Sequence, residues 1–281
     1  MKIGIMADSL RLPFEQSIVR AKELGADGVQ VYAVAGEMAP ENMSGEDIRV
    51  KRDIIVSNGL VVSALCGDLG GHGFCLAEEN PAKIEKSKRI LDLAKKFGCD
   101  VVTTHIGVIP EDVSCKTYSV LHDACKELAD YADAIGSHFA IETGPEPADR
   151  LAAFLDTLGS TGVGVNLDPA NLVMVTCDDP VKAVYTLKKY IVHTHAKDGI
   201  CLKQTDPQII YDYFAGDGIE DIHLKDYFTE TPLGKGNVDF PEYISALKDI
   251  GYNGFLTVER ETGATPDADI KLAVDTLKKY I

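Results

Sequence analysis

Apolar residues form two kinds of pattern that alternate along the chain. One is a short, nearly continuous apolar run rich in β-branched residues, which is typical of a strand in a parallel sheet covered on both faces. We predict eight such strands, over residues 2–6, 28–31, 60–65, 101–105, 138–142, 163–168, 191–195 and 254–259.

Longer stretches with helical spacing lie between these strands. Their apolar residues recur at intervals of three and four, which places them on one helix face. Clear examples are Phe14, Ile18, Ala21 and Leu24, and then Ile90, Leu93, Ala94 and Phe97. Eight strand–helix units with right-handed crossovers close most simply into a (β/α)8 TIM barrel, an α/β fold. We therefore expect a single domain over residues 1–281.

The seventh predicted unit contains a long connection, over about residues 199–235. Compact domains rarely contain loops of this length unless the loop has a function, often as a lid or a substrate wall. We expect it to border the functional site.

Composition narrows the class of partner. Lys and Arg total 28 and Asp and Glu total 44, which gives a net charge of −16. Phosphate neutralisation drives nucleic-acid binding, so this charge argues against a nucleic-acid partner and favours a small polar ligand or a cation. No apolar window is long enough for a membrane span, and the strand-like N-terminus does not resemble a signal peptide, so we expect a cytoplasmic protein without a membrane partner.

The chain has seven cysteines, an odd number, and none is spaced as Cys-x-x-Cys. This usage is typical of free thiols in a reducing compartment.

Polar residues follow the ends of several predicted strands, where TIM barrels place their active sites. Strands four to eight end in His105, Glu142, Asp168, His195 and Glu259. Carboxylates with one imidazole form an oxygen-rich ligand set, which favours manganese, magnesium or cobalt. We predict one divalent metal ion held by Glu142, Asp168, His195 and Glu259; manganese is the preferred ion, and zinc is also compatible.

The two glutamates also suggest a reaction. Glu142 and Glu259 come from strands five and eight and approach the barrel centre from different sides. One could remove a proton from carbon and the other return one, while the metal polarises a neighbouring carbonyl. The expected activity is isomerisation or epimerisation of a ketose or polyol ketone through an enediolate, with Glu142 and Glu259 as catalytic residues.

Five segments carry a resemblance to a known family. They are FAIE (139–142), NLDPAN (166–171), HTHAKD (193–198), PLGKGNVDF (232–240) and GYNGFLTVERE (251–261). Together they resemble the sugar phosphate isomerase/epimerase superfamily, whose fold is the xylose isomerase-like barrel. The resemblance implies the same four metal ligands and, in the ketose 3-epimerase branch, the same glutamate pair. It also implies a possible homo-oligomer.

Further residues are expected to contact a substrate. Asn171 stands where several epimerases of this family have a histidine. Lys197 and Asp198 follow the seventh strand, and His105 ends the fourth. Cys66 and His72 belong to the end of the third strand and the Gly-rich loop after it, and Tyr32 offers a stacking surface after the second. The expected substrate-binding set is Asn171, Lys197, Asp198, His105, Cys66 and His72; Asp68 and Tyr32 are further residues that could line the pocket.

Two assignments stay open. His223 repeats the His-x-Lys-Asp pattern within the long loop, but His195 is preferred as the ligand because a strand precedes it directly. His193 would face the same side as His195. It is either a support for the metal ligands or a core histidine.

Other functions compete with the isomerase. The chain also resembles inosose dehydratases, in which the same proton removal is followed by loss of a β-hydroxyl group. Abasic-site endonucleases share this barrel and bind three zinc ions; His105 and the pair Asp221 and His223 fit that reading, whereas Asn171 and the net charge oppose it. A binding protein without catalytic activity is a third alternative.

Overall fold

The computed structural model describes residues 1–217 and 222–281, and these form a closed barrel of eight parallel strands. The order around the barrel is β1-β10-β7-β6-β5-β4-β3-β2. The barrel strands are β1 Lys2–Met6, β2 Gly28–Tyr32, β3 Val61–Cys66, β4 Val101–Thr104, β5 His138–Glu142, β6 Val163–Leu167, β7 Ile191–Ala196 and β10 Phe255–Val258. The eight predicted strands and the TIM-barrel fold are confirmed, and the strand ends differ from the prediction by one residue at most.

Helices connect successive strands, and most of them cover the outside of the barrel. They are α1 Phe14–Leu24, α2 Gly45–Ser57, α3 Asn80–Phe97, α4 Lys116–Ala134, α5 Ala148–Leu158, α6 Pro169–Asn171, α7 Pro180–Leu187, α8 Pro207–Ala215, α9 Phe240–Asp249 and α10 Pro266–Leu277. Local sequence explains their ends. Ser44 and Asp47 form a capping box at the start of α2, and Gly25 and Gly98 end α1 and α3 in the left-handed conformation.

The main apolar core lies between the barrel and its helices, whereas the barrel interior near the site is polar. Gln30, Thr103, His193 and Thr257 point into this interior and are almost fully buried. Their hydrogen bonds to one another satisfy these polar groups. Gly4 leaves space for them, because a Cβ there would lie 2.3 Å from Thr257 Oγ1.

The connection after β7 has secondary structure of its own. β8 (Asp198–Cys201) pairs with β9 (Phe228–Thr231) in an antiparallel hairpin, and α8 lies between them in sequence. We call residues 198–231 the insertion; its residues 218–221 lie outside the described part of the chain. The prediction treated this region as a loop, and the structure replaces most of that loop with regular elements.

The cysteine prediction is wrong for one pair. Cys177 and Cys201 are joined by a disulfide, with Cα atoms 6.3 Å apart, which is a separation that a disulfide can span. The bond connects the segment after β6 to the insertion. The other five cysteines, all within the described residues, are free.

None of the described helices is both long enough and apolar enough to cross a lipid bilayer.

Candidate metal centre and active site

Four side chains converge where β5, β6, β7 and β10 end. His195 Nδ1 lies 3.2 Å from Asp168 Oδ2, 3.5 Å from Glu142 Oε1 and 3.4 Å from Glu259 Oε2. One ligand atom from each of the four residues lies within 4.8 Å of all the others, and all four are buried. The barrel thus brings together the four residues predicted as ligands.

Hydrogen bonds orient the carboxylates of this cluster. Asp168 Oδ1 accepts from the backbone N–H of Asn171 at 2.9 Å, which leaves Oδ2 directed at His195. Glu142 Oε2 accepts from Asn166 Nδ2 at 2.9 Å, and its Oε1 accepts from Asn171 Nδ2 at 3.1 Å. These contacts fix the acidic groups in place before any ligand binds.

The donor set fits a divalent cation. Three carboxylates and one imidazole supply oxygen and nitrogen atoms and no sulfur, which suits ions such as manganese or magnesium better than thiolate-bound metals. Three buried carboxylates this close repel one another unless positive charge lies between them. A cation at the cluster would supply that charge.

Neighbouring charges already shift the pKa values of the cluster. Burial alone would lower the pKa of His195, but Glu259 and Glu142 outweigh it and raise that pKa well above its usual value. For Glu259, burial opposes ionisation, yet Lys197 and His195 lower its pKa overall. Lys197 Nζ lies 3.0 Å from Glu259 Oε2 and also contacts Glu261. At neutral pH Glu259 is therefore ionised.

A cavity of about 250 Å³ opens onto the cluster. Its lining is partly polar and partly apolar, and the apolar part comes largely from the insertion and the segment after β6. Its polar lining is Tyr32, Cys66, Asp68, His105, Glu142, Asn171, Lys197, Glu259 and Glu261. Its apolar lining includes Met174, Val175, Ile210, Phe214 and Phe228. The insertion thus forms a wall of the cavity.

His105 reaches the cavity as a charged group. Its Nδ1 lies 3.1 Å from Asp68 Oδ2, and its Nε2 lies 3.7 Å from Glu142 Oε1. Burial would lower the pKa of His105, but the negative charges of Glu142 and Asp68 raise it to about 10. Asp68, which follows β3 together with the loop expected to wall the pocket, lies in the cavity lining.

Two predicted substrate contacts lie elsewhere. The Asp198 carboxylate is buried away from the cavity and accepts hydrogen bonds from the backbone N–H groups of Gly199, Gly234, Gly236 and Val238. It ties the start of the insertion to the chain that follows it. His72 lies on a neighbouring groove, where it faces Asp212 and Asp217 of the insertion. The prediction placed both side chains at the substrate, but the structure directs them away from the cavity.

The two histidines whose roles the sequence left open have distinct positions. His223 is exposed and lies outside the cluster, whereas Asp221, which was considered with it, is outside the described residues. His193 is buried beside His195, and burial lowers its pKa to about 3, so it is neutral. It contacts Gln30 and Thr257 and thus belongs to the layer beneath the cluster.

Besides Asp198, a second carboxylate, that of Glu230, connects the insertion to the rest of the chain. Glu230 on β9 is bound by Arg260 Nη1 at 2.7 Å and accepts from the backbone N–H groups of Glu261 and Thr262. These residues directly follow Glu259. The wall of the cavity and the segment that carries one of the glutamates are therefore fastened to each other.

Comparison with known proteins identifies the family. Residues 18–280 match the family model described as the xylose isomerase-like TIM barrel, and the chain belongs to this family. An uncharacterized protein of Methanocaldococcus jannaschii is 25% identical over 225 residues, which cover 72% of this chain and 66% of that protein.

Solved structures agree with this assignment. A xylose isomerase domain protein from Planctomyces limnophilus has a TM-score of 0.79 and 26% identity, covering 99% of this chain and 96% of its own. A D-tagatose 3-epimerase-like protein has a TM-score of 0.75 and 19% identity, covering 100% and 97%, and supports the fold alone.

Proposed function

We propose that the protein is a divalent-metal-dependent isomerase or epimerase that transfers a proton next to the carbonyl of a ketose or polyol ketone. The observation that carries this proposal is the buried cluster of Glu142, Asp168, His195 and Glu259, of which Glu142 and Glu259 line a cavity. Membership in the xylose isomerase-like TIM-barrel family supports it.

The four residues would hold the ion, and the bound ion supplies Lewis-acid polarisation of a substrate carbonyl. Glu142 and Glu259 lie on strands that β6 and β7 separate in the barrel, so they face the cavity from different positions. One glutamate, as the carboxylate, accepts the proton from the carbon beside the carbonyl. The other, in its carboxylic acid form, donates a proton to a carbon of the same intermediate, so the two glutamates exchange protonation states in each turnover. Lys197, which donates to Glu259 Oε2 at 3.0 Å, lowers the pKa of Glu259 and so keeps it ionised, as a proton acceptor must be.

Other residues would bind and shield the substrate. His105 and Lys197 present N–H groups that can donate to substrate hydroxyl or carbonyl oxygens, and Asn171 lies beside Glu142 at the cavity edge. Met174, Ile210 and Phe228 form the apolar side and exclude water from the reacting carbon. Acidic groups outnumber basic ones in the lining, which favours an uncharged sugar or polyol over a phosphorylated one.

The test is solvent hydrogen exchange. Incubation with Mn²⁺ and a panel of free ketoses and inososes in D₂O should give deuterium at a carbon beside the carbonyl, together with an isomer or epimer. Glu142→Gln should reduce turnover by about 10²–10⁴-fold, the usual contribution of a general base. Glu78→Gln, at an exposed position, is the matched control. Absence of exchange and of product across the panel with the metal-loaded protein would reject the proposal.

A dehydratase reaction is the second candidate, and His105 is the observation that favours it. Its raised pKa keeps it protonated at neutral pH, and it lies beside Glu142 in the cavity. It could therefore protonate a departing β-hydroxyl after Glu142 or Glu259 has removed the neighbouring proton. The rise of an ultraviolet enone absorbance, absent in His105→Gln, would support this reaction instead.

A further inference from the structure

Gln30 occupies the barrel interior beneath the cluster and has no exposed surface. Its Nε2 donates to Thr103 Oγ1 on β4 at 2.9 Å. Its Oε1 lies 3.1 Å from Nε2 of His195 and 3.0 Å from Nε2 of His193, both on β7. The amide is thus held at both ends, with its oxygen turned toward the two imidazoles.

This contact determines which nitrogen of His195 is available to a cation. A cation can bind His195 only after the imidazole has lost one proton, and the neutral imidazole then has one N–H and one lone pair. Gln30 Oε1 can only accept a hydrogen bond, so it favours the hydrogen on His195 Nε2. The lone pair then lies on Nδ1, the atom that faces Asp168, Glu142 and Glu259.

A neighbouring amide favours the opposite arrangement. Asn166 Nδ2 also lies 3.2 Å from His195 Nε2, and it is a donor, because it donates to Glu142 Oε2 at 2.9 Å. A donor at this place favours a lone pair on Nε2 and the hydrogen on Nδ1, where it would block a cation. Gln30 supplies the acceptor that opposes this tautomer.

We propose that Gln30 is a positioning residue that holds His195 in the Nε2–H tautomer, and so presents the Nδ1 lone pair to the metal ion. This inference rests on the metal site of the proposed function. Residues that support metal ligands in this way commonly contribute a factor of about 10–100 in metal affinity. The role of Gln30 does not depend on which sugar or polyol is the substrate.

The test measures Mn²⁺ binding by calorimetry in the full chain. Gln30→Leu removes the acceptor and should weaken Mn²⁺ binding by about 10–100-fold. Gln30→Glu keeps an acceptor oxygen near His195 and should therefore bind Mn²⁺ more tightly than Gln30→Leu does. Gln16→Leu, at an exposed position, should leave it unchanged. Circular dichroism establishes that each variant is folded.

A folded Gln30→Leu variant with wild-type Mn²⁺ affinity would overturn the inference and leave the proposed function standing. If the wild-type protein itself binds no Mn²⁺, the metal site fails and the inference fails with it. A second measurement needs no variant. The ¹⁵N spectrum of His195 in the wild-type protein loaded with diamagnetic Mg²⁺ or Zn²⁺ should show the Nε2–H tautomer; a hydrogen on Nδ1 would overturn the inference even if Gln30→Leu does not fold.

Discussion

Asp198 directly follows Lys197, a residue of the cavity lining. The Asp198 carboxylate, however, accepts hydrogen bonds from backbone N–H groups and does not face the cavity. Four N–H groups donate to its two oxygens, at 2.8 to 3.2 Å. Gly236 allows this approach, because a Cβ there would lie 2.2 Å from Asp198 Oδ1. Two adjacent residues therefore have different roles. Lys197 lines the cavity, and Asp198 stabilises the fold around the start of the insertion.

Asp198→Asn should destabilise the protein by about 1–3 kcal/mol, because an amide nitrogen would face backbone donors in place of a carboxylate oxygen. Urea unfolding measures the change, and Asp226→Asn, at an exposed position, is the control. A change within about 0.5 kcal/mol of the control would contradict the structural role, since surface substitutions fall in that range.

Glu146 is a buried carboxyl that the proposed reaction does not use. Burial raises its pKa from 4.5 to about 8, although Ile109 N–H and Arg150 partly oppose the shift. Between these two values the folded protein binds a proton that the unfolded chain releases. The free energy of unfolding should therefore decrease as pH rises from about 4.5 to about 8.

Glu146→Gln should remove this part of the pH dependence, because the amide does not titrate. Urea titrations at pH 5 and pH 8 test it, with the exposed Glu78→Gln as the control. The same loss of stability in Glu146→Gln as in wild type would show that Glu146 does not cause it.

The residues that sequence reasoning could locate share one property: they end a barrel strand, as Glu142 and Glu259 do. The barrel brings strand ends together whatever the details of packing, so the four ligands could be grouped in advance. Gln30 and Asn166 lie inside strands, and their contacts depend on side-chain directions across the barrel. Those directions follow from the register of several strands at once, which the hydrophobic pattern does not specify.

At the scale of elements, the strands and the insertion differ in how far they could be predicted. The barrel strands are continuous apolar runs, and their ends were predicted to within one residue. The hairpin of β8 and β9 is short and only partly buried, so it has no clear alternation. Its position depends on Asp198, on Glu230 and on the disulfide, which are contacts between distant parts of the chain.

Thiol counting tests the disulfide within this arrangement. In protein purified in air and denatured without reductant, we expect alkylation of five cysteines, because Cys177 and Cys201 are paired. Reduction before alkylation should give seven, and peptide mass spectrometry should find the two additional sites at Cys177 and Cys201. Seven alkylated cysteines without reductant would contradict the pairing and agree with free thiols throughout.

At the scale of the whole molecule, the fold brings carboxylates together at one place, and positive charge at that place stabilises the folded protein. The chain carries a net charge of −16, and three of its carboxylates meet at the barrel centre, where Lys197, His195 and His105 are the neighbouring basic groups. The described part of the protein therefore contains a buried acidic centre at the end of the barrel where TIM-barrel active sites form. Binding of a cation there should stabilise the folded state in proportion to its affinity and concentration.

Anomalous diffraction from crystals grown with Mn²⁺ tests the metal centre most directly. We expect one strong peak per chain, about 2.0–2.3 Å from Glu142, Asp168, His195 Nδ1 and Glu259, the distance range for small divalent ions with such ligands. If crystals grown at a saturating Mn²⁺ concentration show no peak at this cluster, the metal centre and the reaction proposed for it are contradicted. A peak that is bound by other residues would contradict them as well.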